Sequence, residues 1–154
     1  MNGKLAVVFG GGRDIGAAVA EALAAKGAEV ALSYHGSDPR AVIENIQAAG
    51  GKVTAYKVDA TDTAAVRAFA KEAQEISGRK IDILANVAGI MDTCSSVDNM
   101  TDAVYEPVMK VNLTVPMQLM RGVINEGGMK TRQIGVIINI ASRAALGGAA
   151  FGAA

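Results

Sequence analysis

Residues 5–16 read LAVVFGGGRDIG, and this stretch decides the fold of the chain. Its first five residues form an apolar run with the length and the β-branched content of a buried strand. The glycines allow a sharp turn, and a helical pattern begins near Ile15 and runs to Lys26. Free N–H groups at a helix start favour a pyrophosphate. The stretch therefore predicts a dinucleotide site, with an ordinary tight turn as the alternative.

The rest of the chain repeats this alternation of short apolar runs and longer segments of helical period. Such a pattern indicates βαβ units around a parallel sheet, and the usual doubly wound topology gives the strand order 3-2-1-4-5. The 154 residues suffice for one α/β domain with its own core and are too few for two. The predicted strands are Lys4–Phe9, Glu29–Tyr34, Lys52–Val58, Ile81–Asn86 and Ile134–Ala141.

Two helices carry clear sequence signals. The first lies between the third and fourth predicted strands. Asp62 is a plausible N-cap for it, and Gly78 stands where a glycine would end it. The second pattern runs from Thr101 to Glu126 and contains Pro107 and Pro116, which predicts one kinked helix. Because Pro116 has no N–H group, we expect the carbonyl of the residue four positions earlier to be free to bind water.

Composition excludes several classes of function. Fifteen basic residues balance fifteen acidic ones without a basic run, so a nucleic acid is not an expected partner. No apolar run reaches the roughly 20 residues of a membrane span or resembles a secretion signal. The single cysteine, Cys94, excludes an internal disulfide and a multi-cysteine metal site. We expect a cytoplasmic protein without a metal centre.

Several motifs in order resemble the short-chain dehydrogenase/reductase family. The glycine turn is similar to the family pattern Thr-Gly-x-x-x-Gly-x-Gly, with Phe9 in place of the threonine and Asp14 in place of the middle glycine. The stretches 58–60 (VDA), 86–89 (NVAG), 110–113 (KVNL) and 138–142 (INIAS) resemble four further family motifs. The resemblance implies a Rossmann-type doubly wound sheet over residues 1–154, without the C-terminal strands of the family.

The resemblance also implies the residues of the cofactor site. An acid at the end of the second strand, typical of NAD users, is missing at Ser33-Tyr34-His35, whereas Arg13 matches a position that is often basic in NADP users. We therefore expect NADP(H) rather than NAD(H), and we expect His35 to be a surface loop residue. Asp14 is expected to cap the helix with its side chain. The predicted cofactor-binding residues are Gly10, Arg13, Asp14, Ile15, Gly16, Tyr34, Asp59, Ala60, Asn86, Ala88, Gly89 and Val111.

Two residues carry over from the catalytic set of the family. Asn112 matches the asparagine of the long helix, and Ser142 matches the serine that hydrogen-bonds the substrate oxygen. The Tyr-x-x-x-Lys motif, which holds the acid/base tyrosine, does not occur in these residues. Relatives similar to 3-oxoacyl carrier-protein reductases transfer hydride between NADP(H) and a carbonyl or alcohol. The resemblance implies that activity for a small-molecule substrate, and assembly as a homodimer or homotetramer.

Two other readings stay open at this point. The chain could be a truncated, catalytically inactive module that binds a dinucleotide or a partner without turnover, an interpretation favoured by Asp14 and by the missing tyrosine. It could also carry different chemistry on the same fold, because a fold alone does not fix a function. A proton donor near the substrate oxygen distinguishes an enzyme from a binding module.

Overall fold

A parallel sheet forms the centre of the molecule. In the computed structural model, which describes residues 1–91 and 97–142, five strands are joined in the order β3-β2-β1-β4-β5. Every neighbouring pair is parallel. The strands are β1 Leu5–Phe9, β2 Glu29–Tyr34, β3 Lys52–Lys57, β4 Ile81–Asn86 and β5 Val136–Asn139. The predicted fold class and strand order are confirmed.

The fifth strand is shorter than predicted. The sequence suggested Ile134–Ala141, but the ladder with β4 pairs only Ile83 to Asn86 with Val136 to Asn139. On its amino side, Gln133 takes a left-handed conformation that ends the preceding short helix. The apolar residues flanking β5 therefore extend the hydrophobic run but have no strand partner in this ladder.

Helices follow the strands and cover both faces of the sheet. The helices are α1 Asp14–Ala25, α2 Arg40–Ala48, α3 Thr63–Ser77, α4 Asp102–Met109, α5 Val115–Asn125 and α6 Met129–Arg132. One face of the sheet packs against α1 and α2 through residues such as Val8, Leu32 and Ile83. The opposite face packs against α3 and α5 through Phe9, Leu84 and their neighbours.

The long helical pattern is one continuous run with a defect in its middle. Between α4 and α5, residues Lys110–Thr114 form a π-helical turn, in which the N–H of Val115 donates to the carbonyl of Lys110. Such turns insert one extra residue into a helix and occur often at functional sites. The prediction of one helix rather than two is confirmed, whereas the expected kink stays a prediction. The π-helical turn contains Asn112. Whether the Asn112 carbonyl binds water stays a prediction.

The expected caps of α3 are also confirmed. The side chain of Asp62 accepts from the N–H groups of Ala64 and Ala65, at 2.8 and 3.1 Å. At the other end, Gly78 takes the left-handed conformation with a φ of 65°. These contacts satisfy backbone groups that a helix leaves open at its ends. Across the described residues, no helix combines the length and apolarity needed to cross a bilayer.

Candidate functional site

A cleft of about 700 Å³ opens at the carboxyl ends of the strands. This is the edge of a doubly wound sheet at which ligands bind. The turns after β1, β2, β3 and β4 each contribute to its wall, and Val111 of the π-helical turn closes one side. The lining residues are Gly10, Gly12, Arg13, Asp14, Ile15, Gly16, Tyr34, His35, Gly36, Ser37, Asp59, Ala60, Thr61, Val87, Ala88, Gly89, Ile90 and Val111.

The glycine turn is held in a conformation that larger residues could not adopt. Gly10 has a φ of 87°, and a Cβ atom there would lie 2.6 Å from the backbone nitrogen of Ala88. A Cβ atom on Gly16 would lie 1.9 Å from the carbonyl oxygen of Gly10. α1 packs directly on the turn, and its first three residues, Asp14, Ile15 and Gly16, line the cleft. This cradle suits a pyrophosphate.

The end of β2 fixes the turn from the other side. The N–H of Gly10 donates to the hydroxyl of Ser33 at 2.9 Å, and the N–H of Gly11 donates to the Ser33 carbonyl at 2.8 Å. Ser33 is thus a buried support for the turn. The next residue in the chain is Tyr34, a predicted cofactor-binding residue, and it lines the cleft.

Asp14 does not cap the helix, so that expectation was wrong. The structure places Arg13 at the N-cap position, with an extended backbone and no side-chain cap hydrogen bond. Asp14 is the first helical residue and has a φ of 50°, in the left-handed region. Its carboxylate lies 3.5 Å from the Arg13 guanidinium instead, and both side chains are about three-quarters exposed. The N-cap position therefore belongs to Arg13, and the Asp14 carboxylate takes part in an ion pair rather than a cap.

Arg13 and the loop after β2 form one rim of the cleft. Arg13, Tyr34, His35 and Ser37 all line it. His35 is an exposed loop residue, as expected, and it also lines the cleft. The next acidic residue in the chain is Asp38. Its carboxylate accepts a hydrogen bond from the guanidinium of Arg40 at 2.7 Å.

The loop after β3 contributes an acid whose hydrogen bonds are local. The Asp59 carboxylate accepts from the N–H of Thr61 at 2.8 Å and from its hydroxyl at 2.7 Å. These bonds, the backbone one first, lower the pKa of Asp59 below its ordinary value. Asp59 is therefore a charged and locally satisfied residue on the cleft wall. Thr61 was not predicted from the sequence, although its place two residues beyond Asp59 could have indicated it.

One predicted cofactor residue does not face the cleft. Asn86 is only 4% exposed, and its side chain donates to the amide oxygen of Asn139 at 2.8 Å. Its backbone carbonyl accepts from the N–H of Ile140. Asn86 thus joins the ends of β4 and β5 and is not among the residues that line the cleft. The other eleven predicted cofactor residues line the cleft, while Gly12, His35, Gly36, Ser37, Thr61, Val87 and Ile90 also line it without having been predicted as site residues.

The predicted catalytic residues occupy different surroundings. Asn112 is held by two hydrogen bonds to the backbone of Ile90: it accepts from the N–H at 2.9 Å and donates to the carbonyl at 2.8 Å. It therefore fixes the loop after β4, which lines the cleft. Ser142 is exposed and follows β5 by three residues, and it is not among the lining residues. Cys94 lies outside the described residues.

Comparison with known proteins identifies the family of this chain. The family model described as short chain dehydrogenase matches residues 4–154. The chain belongs to the short-chain dehydrogenase/reductase family. A curated member, the short-chain dehydrogenase/reductase FrzI of Cladobotryum sp, is 37% identical over 147 residues. That alignment covers 94% of this chain and 55% of the relative, so the chain spans about half the length of this curated family member.

Solved family members share the fold closely. A metagenomic short-chain oxidoreductase in complex with NADP is 36% identical, with a TM-score of 0.84 over 92% of this chain and 63% of that one. An actinorhodin polyketide ketoreductase with NADPH is 26% identical, with a TM-score of 0.87 over 95% of this chain and 56% of that one. These complexes indicate a nicotinamide dinucleotide as the type of cofactor, and the cleft of this chain lies at the edge of the sheet where this fold binds one.

Proposed function

We propose that this chain is the cofactor-binding part of an oxidoreductase that transfers hydride between NADP(H) and a carbonyl or alcohol substrate. The observation that carries the proposal is the glycine cradle, in which any Cβ at Gly10 or Gly16 would collide with backbone atoms. Evolutionary relatives solved with NADP and NADPH support the choice of dinucleotide. The bound nicotinamide ring supplies the hydride chemistry.

Each wall of the cleft has a part in binding. The N–H groups at the start of α1 meet the pyrophosphate, and the guanidinium of Arg13 meets the 2′-phosphate through charge-assisted hydrogen bonds. Asp59 and Ala60 flank the adenine. Ala88, Gly89 and Val111 line the part of the cleft that leads toward the π-helical turn.

Hydride transfer to a carbonyl needs a hydrogen-bond donor and a proton donor at the substrate oxygen. Ser142 donates a hydrogen bond to that oxygen and stabilises the charge that develops there. Asn112 holds the neighbouring loop through the backbone of Ile90. Turnover also requires the proton donor near the substrate oxygen. The alternative is a binding module without turnover, and the two are separated by measuring whether the protein oxidises NADPH in the presence of a carbonyl substrate.

The binding part of the proposal can be tested on this chain itself. Titration with NADPH and NADH, followed by nicotinamide fluorescence, is expected to give saturable binding of both and tighter binding of NADPH. Arg13→Gln should weaken NADPH binding by roughly three- to tenfold and leave NADH binding almost unchanged, because only NADPH carries the 2′-phosphate.

The matched control is Arg67→Gln. It removes the same charge from α3, where Arg67 lines a separate groove between α3 and α5. This variant should bind both dinucleotides as the parent does. Equal losses for NADPH and NADH in Arg13→Gln would contradict the assignment of Arg13 to the 2′-phosphate.

A further inference from the structure

We infer that Asp14 is a specificity-determining residue that weakens the binding of NADP(H) more than that of NAD(H), because its carboxylate holds Arg13. The inference rests on the proposed function and deepens it. Arg13 favours NADP(H) over NAD(H), and Asp14 reduces that preference.

The backbone at Asp14 explains why an acid can stand in this place. With a φ of 50°, residue 14 needs the left-handed conformation that glycine adopts without cost. Aspartate and asparagine tolerate this conformation better than other residues. The turn can therefore keep its shape while it gains a side chain. That side chain lies on the cleft wall and is about three-quarters exposed.

The added charge acts on the ligand in two ways. A carboxylate at the first residue of α1 lies beside the expected pyrophosphate position, and it repels NADPH and NADH alike. It also lies 3.5 Å from the Arg13 guanidinium, the lining cation that would meet the 2′-phosphate. The 2′-phosphate must compete with Asp14 for Arg13, whereas the unphosphorylated ribose of NADH has no such competition.

The neighbouring acid of the cleft does not share this role. Asp59 also lines the wall, but its carboxylate is occupied by the N–H and hydroxyl of Thr61. Asp14 instead has the guanidinium of its neighbour as its ion-pair partner, and it has no cap hydrogen bond to lose. Neutralising Asp14 should therefore release Arg13 without unfolding the turn.

The experiment compares Asp14→Asn and Asp14→Gly with the parent chain. Asparagine keeps the size and the tolerance for the left-handed conformation and removes only the charge, while glycine removes the side chain as well. Titrations with NADPH and with NADH should show affinity for NADPH raised about three- to tenfold in both variants, and affinity for NADH raised less than about threefold. The gain for NADPH should shrink in high salt.

Two controls make the result specific. Glu44→Gln removes one negative charge from the exposed surface of α2, away from the cleft, and should change neither affinity. In an Arg13→Gln background, Asp14→Asn should raise the affinities for NADPH and NADH by the same factor, because no guanidinium remains to be released.

The outcomes separate this inference from the proposed function. Saturable binding with the same ratio of NADPH to NADH affinity in the parent and both Asp14 variants overturns the inference and leaves the proposed function standing. The same holds if Asp14→Asn changes the ratio equally with and without Arg13. If the parent and the two variants bind neither dinucleotide while their circular dichroism spectra show a folded chain, the proposed function fails, and the inference fails with it.

Discussion

At the scale of single residues, the carboxylate of Asp82 connects three parts of the chain at the amino end of the sheet. It accepts from the N–H of Leu5 at 3.1 Å and forms ion pairs with Lys4 at 3.2 Å and Arg132 at 2.7 Å. Burial alone would raise the pKa of Asp82, but the hydrogen bonds from Arg132, Leu5 and Lys4 outweigh it and hold the pKa below its ordinary value. A buried charge of this kind stabilises the fold only while all its partners remain.

Replacing Asp82 with asparagine should therefore destabilise the chain at neutral pH by about 1–3 kcal/mol, measured by urea unfolding. A carboxyl with a depressed pKa contributes stability above its unfolded value, near 3.9, and loses it as the pH falls through the folded value. The difference between parent and Asp82→Asn should accordingly shrink below about pH 4. Glu75→Gln, which breaks an exposed pair with Lys71, is the control and should cost less than about 0.5 kcal/mol. A difference that stays constant from neutral to acid pH would contradict this account.

At the scale of elements, the π-helical turn and the loop after β4 act as one unit. Asn112 occupies the turn, and its amide forms both hydrogen bonds with the backbone of Ile90. Gly89 lies beside this contact, and a Cβ atom there would be 3.4 Å from the amide oxygen of Asn112, an ordinary van der Waals distance. The helix thus determines the position of a loop that lines the cleft.

We predict that Asn112→Ala weakens the binding of NADPH and NADH equally, by about three- to tenfold. Loss of the two hydrogen bonds frees the loop, and binding must then order it again. The measurement is the same fluorescence titration. Asn125→Ala, at the exposed end of α5, is the control and should bind as the parent does. Unchanged affinities in Asn112→Ala would show that the loop keeps its position without the amide.

At the scale of the whole molecule, the two faces of the sheet are covered unequally. Ile137 of β5 packs into the core beneath α3 and α5. On the opposite face, α1 and α2 lie over the other strands, and Val136 and Ile138 remain 54% and 37% exposed. β5 is also one of the two edge strands of the described sheet, the other being β3. An apolar edge strand with an open face favours association with other chains.

The 154-residue polypeptide is therefore expected to self-associate as its concentration rises, measured by sedimentation velocity. A double variant, Val136→Lys with Ile138→Lys, should reduce the association, because charged side chains on an edge strand oppose pairing. Ile76→Lys removes a single exposed apolar side chain from α3 and should leave the association unchanged. A parent chain that stays monomeric at every concentration would contradict the prediction.

The fold and most of the cleft could be predicted because their signals are local. The strand LAVVF and the glycines after it specify a turn through backbone sterics alone, and each later strand ends in a turn at the same edge of a parallel sheet. The resemblance to the family then assigned residues from four separate turns to one site. Asp62 and Gly78 were predictable as caps for the same reason, since the groups they satisfy lie within one helix turn.

The tertiary structure alone decided which hydrogen-bond or ion-pair partner a polar side chain takes when several are within reach. Asp14 could have capped α1, but it takes a left-handed backbone conformation at the first helical residue and pairs with Arg13. Asn86 forms a hydrogen bond with Asn139 of a neighbouring strand, and Asn112 forms hydrogen bonds with the backbone of Ile90. The sequence determined the strands and the glycine turn because these depend on neighbours in the chain. The partners of Asn86 and Asn112 lie far away in the chain, so only folding brings them together.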